Sequence, residues 1–121
     1  GGLSGPDAPV FVLQQAVDRF AGERSIVVKV VRQFLARSES VLQKLEDALA
    51  VRDFATVELE AHAIKGGART IAAMQLGDAA ALLEGSAKME DAERCSHYLA
   101  ALRPPMAEFA RVANETIAPG T

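Results

Sequence analysis

The segment "AHAIKGGARTIAA", residues 61–73, contains the residue types of this chain that are best suited to chemistry. It is rich in alanine, as helices often are, yet it places His62 three residues before Lys65 and follows the lysine with Gly66 and Gly67. Each glycine inside a helix costs about 1 kcal/mol relative to alanine. Two glycines in a helix so close to a histidine therefore call for a structural or functional explanation.

Helical spacing places His62 on the side of the helix that faces away from the core. The apolar residues of the segment form one face, made of Phe54, Val57, Ala61, Ile64, Ala68 and Ile71. At about 100° per residue, His62 lies roughly 130° from the centre of that face. It belongs to a polar stripe with Glu58, Lys65 and Arg69. Gly66 lies beside this stripe, where a bare backbone lets a large partner approach closely.

An exposed histidine with a lysine one turn away suggests phosphoryl chemistry. A neutral imidazole nitrogen is a good nucleophile near pH 7. Lys65, at position i+3, can reach a phosphoryl group on the ring. Arg69 lies about 10 Å along the axis, so we expect it to contact a docking partner rather than the phosphate. The alternative is that these are ordinary surface residues, and that the glycines mark close helix packing or a frayed helix end.

Composition restricts the class of protein. The chain has 121 residues, half of them hydrophobic, which fits one domain with a real core. Its net charge of −3 and its lack of tryptophan argue against a nucleic-acid partner. The single cysteine, Cys95, suits a reducing compartment and continues a core pattern, so we expect a buried thiol. Apolar runs are too short for a membrane span, and we expect the cytoplasm.

The periodicity predicts an all-α fold, an antiparallel four-helix bundle with a short extra N-terminal helix. The short helix is predicted over residues 10–20, and the bundle helices over 24–50, from the N-cap Asp53 to 71, over 75–89, and finally to about 117. Because Pro104 and Pro105 interrupt the last of these, two collinear pieces are predicted there. The predicted domain spans 10–117, between a flexible lead-in at 1–9 and a tail at 118–121.

The run "AHAIKGGARTIAAMQLGDAAALLE" resembles the core motif of histidine-containing phosphotransfer (HPt) domains. That family has a histidine, a lysine three residues later and a glycine four residues later, here His62, Lys65 and Gly66. Small residues, an apolar residue near Leu76 and the pair Leu83–Glu84 follow. The resemblance covers residues 10–84, and the last helix by pattern. The run "HAIKGGA" is also similar to the phosphoacceptor domain of chemotaxis-type histidine kinases.

The resemblance implies a phosphorelay intermediate that works as a monomer. His62 would take a phosphoryl group, through Nε2, from the aspartate of a response-regulator receiver domain and pass it to another receiver. Lys65 would stabilise the phosphate, and Gly66 would clear space for the receiver. Mg²⁺ is expected on the receiver and no cofactor or metal on this chain, which lacks a suitable carboxylate cluster. A sensor histidine kinase is a further partner that the resemblance allows.

Three further residues bear on this interpretation. In some relatives an acidic or amide residue at the position of Glu84 lies near the imidazole, where it would accept a hydrogen bond from Nδ1–H. The alternative is a solvated glutamate at a helix end. Members often have a small residue where Arg69 stands and a glycine where Ala72 stands, and these departures concern partner preference.

Two other functions remain open at this point. The chain can be the phosphoacceptor domain of a larger hybrid or chemotaxis-type kinase, or a helical interaction module that is not phosphorylated. Autonomous kinase activity is not expected, because the sequence has no G-x-x-x-x-G-K motif.

Overall fold

Five helices account for nearly all of the chain that the structure, a computed structural model, describes: residues 11–117. They are α1 (Leu13–Arg19), α2 (Arg24–Ala50), α3 (Phe54–Thr70), α4 (Met74–Lys88) and α5 (Ala92–Thr116). No strand occurs within these residues, which confirms the predicted all-α class. The predicted lead-in at 1–9 and tail at 118–121 lie outside the described residues.

The four long helices form the bundle. Helix α3 packs most extensively on α4, α4 packs on α5, and α2 closes the ring by packing on both α3 and α5, while α1 lies against α2. The connections from α2 to α3, from α3 to α4 and from α4 to α5 each contain three residues. Connections this short make consecutive helices antiparallel neighbours. None of the five helices is long and apolar enough to cross a membrane.

The inward faces predicted from helical spacing form the core. In α5 the residues that continue the spacing of Cys95 along one face are all buried: Cys95, Leu99, Leu102, Met106, Phe109, Ala113 and, just past the helix, Ile117. Phe109 is fully buried, and the rings of Phe11 and Phe34 meet it edge-on at centroid distances of 5.1 and 5.3 Å. Cys95 is fully buried, as predicted, and burial raises the pKa of its thiol.

Two aspartates begin helices in the way that their type favours. The side chain of Asp53 accepts a hydrogen bond from the backbone N–H of Thr56 at 3.1 Å, which confirms the predicted N-cap of α3. Asp91 does the same for α5, accepting from the N–H of Arg94 at 3.0 Å. Each bond satisfies a donor that has no partner within the helix.

The prediction that α5 consists of two pieces is wrong. The helix continues through Pro104 and Pro105. A proline cannot donate the usual hydrogen bond to the carbonyl four residues earlier, so Ala100 and Ala101 lose these donors. Both alanines are exposed, and water can replace the missing bonds. The apolar pattern therefore persists across the prolines because they lie on the solvent side of one helix.

Each of the three connections within the bundle contains one non-glycine residue in the left-handed region. These are Arg52, Ala72 and Glu90, with φ of 58°, 61° and 53°. Each follows the last residues of a helix, where glycine is the usual choice because it has no Cβ to clash with the backbone. The bundle thus carries a small backbone strain at every turn.

Glu90 is the best place to measure that strain, since its side chain is exposed. We expect Glu90→Gly to raise the free energy of unfolding by about 1 kcal/mol relative to Glu90→Ala, because alanine keeps the strained Cβ and glycine removes it. Urea denaturation of the two variants measures the difference. A Glu90→Ala variant that is as stable as Glu90→Gly would show that the turn is not strained.

Candidate functional site

Helices α3 and α4 together position the histidine that the sequence singled out. The side chain of His62 is 64% exposed, on the solvent side of α3 as predicted. Its Nδ1 lies 2.7 Å from Oε2 of Glu84 on α4. The Glu84 side chain is only 7% exposed, so the alternative of a solvated glutamate is wrong. An exposed ring is therefore anchored by a buried carboxylate.

Glu84 is buried because small residues bring the two helices together. On α3, Ala61 and Ala68 are fully buried, and on α4 the residues one turn before and after Glu84 are Ala80 and Ala87, also buried. Small side chains let helix axes approach closely, so a carboxylate at their contact is covered by the neighbouring helix. The buried alanines of both helices thus allow the Glu84 carboxylate to reach Nδ1 of His62.

Lys65 is the second partner of Glu84. Its Nζ lies 2.5 Å from Oε1, and its side chain is 22% exposed. The hydrogen bond from Lys65 holds the pKa of Glu84 below its ordinary value, with a further contribution from His62 and against the opposing effect of burial. Glu84 is therefore ionised at neutral pH. The predicted phosphate-stabilising lysine is engaged with a carboxylate in this structure.

The charge on Glu84 determines which nitrogen of His62 carries the proton. An ionised carboxylate only accepts hydrogen bonds, so the neutral ring must place its proton on Nδ1 to bond with Glu84. The lone pair then lies on Nε2, the nitrogen on the other edge of the ring. This arrangement presents a nucleophilic nitrogen away from the α4 carboxylate.

The two glycines after Lys65 differ in their surroundings. A Cβ added at Gly66 would meet no atom within 4 Å, so helix packing does not explain this residue. A Cβ at Gly67 would lie 2.9 Å from Cε2 of Phe34. Gly67 therefore makes room for a core ring of α2, whereas Gly66 leaves open backbone beside the histidine.

The other two members of the predicted stripe, Arg69 and Glu58, differ in their position relative to the ring. Arg69 extends over α4, where its Cγ lies 3.0 Å from the position of a Cβ at Gly77 and its guanidinium is 3.7 Å from Oδ1 of Asp78. Glu58 lines an open concavity together with His62 and Glu84. The structure brings His62, Lys65 and Glu84 into contact and leaves Arg69 at the edge of the site.

One charged residue at the site was missed by sequence reasoning. Lys88 lines the same concavity, and its Nζ lies 3.8 Å from Oε2 of Glu84. The signal was present, because residues four apart share one face of a helix and Lys88 is four residues after Glu84. This spacing indicated a place for Lys88 at the site only once Glu84 was known to contact His62.

Over residues 11–117 no group of three or more His, Cys, Asp or Glu side chains is arranged to hold a metal ion.

The arrangement of an exposed, carboxylate-bound histidine on a helical bundle agrees with what family comparison finds. A family model, the Hpt domain, matches residues 29–111, and the chain therefore belongs to the Hpt domain family. Domains of this family take part in phosphotransfer in two-component signalling and interact with receiver domains and kinases. No curated protein and no solved structure matches the chain.

Removing the charge of Glu84 should weaken the fold in a pH-dependent way. We expect Glu84→Gln to lower the free energy of unfolding by about 1–2 kcal/mol at pH 7, because half-buried Lys65 loses its ionic partner. The folded-state pKa of Glu84 lies below the ordinary 4.5. The stabilisation by the carboxylate is therefore complete above that pH and is lost as the pH falls through the folded-state pKa.

Urea denaturation of wild type and Glu84→Gln between pH 7 and pH 3 measures this effect. The difference between the two proteins should be largest near neutral pH and should shrink in acid. Glu39→Gln, on the exposed face of α2, is a control for the loss of one negative charge. A difference that stays constant over this range would contradict an ionised, stabilising Glu84.

Proposed function

We propose that this domain is a phosphorelay intermediate in which His62 accepts a phosphoryl group from a receiver-domain aspartate and passes it to another receiver. The observation that carries the proposal is the hydrogen bond between Nδ1 of His62 and the buried carboxylate of Glu84, 2.7 Å long, on a ring that is otherwise exposed. It fixes the orientation and the tautomer of the ring and leaves Nε2 accessible to a large partner.

In the proposed reaction the Nε2 lone pair attacks the phosphorus of the aspartyl phosphate. A bond forms between Nε2 and phosphorus, and the bond between phosphorus and the aspartate oxygen breaks, its electron pair returning to the carboxylate. The Nδ1 proton stays in place, so the ring gains positive charge as the new bond forms. Glu84 stabilises that charge, and the reverse sequence releases the phosphoryl group to the next receiver.

Lys65 and Gly66 support this reaction in different ways. Lys65 keeps Glu84 ionised and in position, 2.5 Å from Oε1, and adds positive potential near the phosphoryl group. Gly66 leaves free space on the surface of α3, into which the loops around a receiver aspartate fit. Glu58 and Arg69, at opposite ends of the stripe, contribute charge to the docking surface.

The receiver supplies the rest of the chemistry in this proposal. Mg²⁺ is bound by receiver carboxylates, and this chain binds no cofactor. The domain acts as a monomer in the cytoplasm, either as a free shuttle or as the phosphoacceptor domain of a hybrid or chemotaxis-type kinase. In both cases a sensor histidine kinase stands upstream in the phosphate flow.

Phosphorylation of His62 is tested by intact-protein mass spectrometry. Wild type and His62→Gln are incubated at neutral pH with phosphorylated receiver proteins, and in parallel with a small phosphoramidate donor. We expect one acid-labile phosphoryl group on wild type and none on the variant, with both proteins folded by circular dichroism. A folded wild type that stays unmodified with a panel of active receivers would favour the interaction module that is not phosphorylated.

The docking role of Gly66 can be separated from its effect on stability. We expect Gly66→Leu to remain folded, because a side chain there meets open space, but to transfer phosphoryl groups from a receiver at least about tenfold more slowly, since a buried interface tolerates added bulk poorly. Gly66→Ala should be about 1 kcal/mol more stable than wild type. Quenched phosphotransfer assays measure the transfer rate, and urea denaturation measures the free energy of unfolding.

Phosphoramidate is the control donor for this pair of variants, because a small molecule does not need the docking surface. Gly66→Leu should therefore accept phosphate from it at the wild-type rate. If Gly66→Leu unfolds, the account of Gly66 as a docking residue is wrong.

A further inference from the structure

Lys88 lies at the site on the opposite side of Glu84 from Lys65. It is at the C-terminal end of α4, one turn beyond Glu84, and it lines the concavity whose walls include Glu58 and His62. Lys65 follows His62 along α3. Because α3 and α4 are antiparallel, the two lysines approach the carboxylate from opposite ends of the site.

The two lysines differ in how firmly Glu84 holds them. Lys65 is 22% exposed, and its Nζ lies 2.5 Å from Oε1. Lys88 is 59% exposed, and its Nζ lies 3.8 Å from Oε2, the oxygen that binds Nδ1 of His62. A 3.8 Å separation between an exposed lysine ammonium and a carboxylate is a weak contact. Lys65 is therefore held in a close ion pair with Glu84, whereas the side chain of Lys88 can move to another anion.

A phosphoryl group on His62 would create such an anion. It carries up to two negative charges near neutral pH, with oxygen atoms that accept strong hydrogen bonds. Of the charged residues lining this concavity, Glu58 and Glu84 are acidic and Lys88 is basic. The acidic groups repel the phosphoryl group, whereas the Lys88 ammonium is attracted to it. Because Lys88 lines the open concavity, its side chain has room to turn toward the phosphoryl group.

We propose that Lys88 is a phosphoryl-binding residue: when His62 is phosphorylated, the Lys88 ammonium leaves Glu84 and binds the phosphoryl oxygens. This inference rests on the proposed function and assigns the two lysines separate roles. Lys65 positions Glu84 and through it the imidazole, and Lys88 contacts the transferred group directly. The flexible side chain of lysine allows the movement without a change in the backbone.

The test uses Lys88→Gln, Lys88→Arg and a matched control, Lys44→Gln. Lys44 is exposed on α2, so this control removes one positive charge at a distance from the site. Each protein is phosphorylated with phosphoramidate, or with phosphorylated receivers, and ³¹P NMR follows the pH titration of the phosphohistidine. A nearby cation lowers the pKa of the second phosphoryl ionisation, because it favours the dianion.

We expect Lys88→Gln to raise that phosphoryl pKa by about half a unit relative to wild type, the size expected of one exposed ion pair. Lys88→Arg should restore the wild-type pKa, and Lys44→Gln should leave it unchanged. A purely structural role for Lys88 would leave the phosphoryl titration unaffected in every variant.

The possible results separate this inference from the proposed function. If wild type is phosphorylated on His62 but Lys88→Gln titrates like Lys44→Gln, the role of Lys88 is wrong and the phosphorelay stands. The same conclusion follows if Lys88→Arg does not restore the pKa. If wild type accepts no phosphoryl group from either donor, the proposed function fails, and the inference about Lys88 fails with it.

Discussion

A carboxylate that is buried between two helices needs partners for its charge, and the partners of Glu84 define the site. Leaving an ionised group unpaired in the interior is costly, so the fold must supply donors where Glu84 lies. Lys65 supplies the close ion pair and His62 the Nδ1–H donor, both within 2.7 Å. The need to satisfy one carboxylate thus orients an exposed imidazole that has few other contacts to hold it.

That constraint depends on the packing of α3 against α4, the most extensive helix contact in the bundle. Alanines line the contact on both helices, and they let Glu84 lie beneath the histidine instead of extending past it. Larger residues at Ala61 or Ala80, both fully buried, would separate the helices and carry the carboxylate away from Nδ1. The small residues of α3 and α4 therefore help to position the Glu84 carboxylate as well as to pack the core.

Features set by local periodicity were predictable from the sequence, and features set by the distance between helices were not. The inward faces and the outward direction of His62 follow from 3.6 residues per turn, and the structure confirms them. The burial of Glu84 depends on how closely α4 approaches α3, which a single sequence does not give. The ion pair of Lys65 with Glu84 and the position of Lys88 at the site both depend on that burial. The ion pair was therefore unexpected, and Lys88 was missed. Helix α5 was predicted in two pieces but is continuous, because the carbonyls that lose their hydrogen-bond donors at Pro104 and Pro105 belong to exposed residues.

The two departures from the Hpt pattern have separate physical consequences. Ala72 occupies a left-handed position with φ of 61°, where glycine avoids strain, so the glycine of other members suits the turn rather than the partner. Arg69 is accommodated by Gly77, because its Cγ lies where a side chain at that position would stand. The Arg69 guanidinium lies 3.7 Å from Oδ1 of Asp78. Arg69 therefore lies at the edge of the site, beside Asp78 and Gly77, and a Cβ added at Gly66 still meets open space.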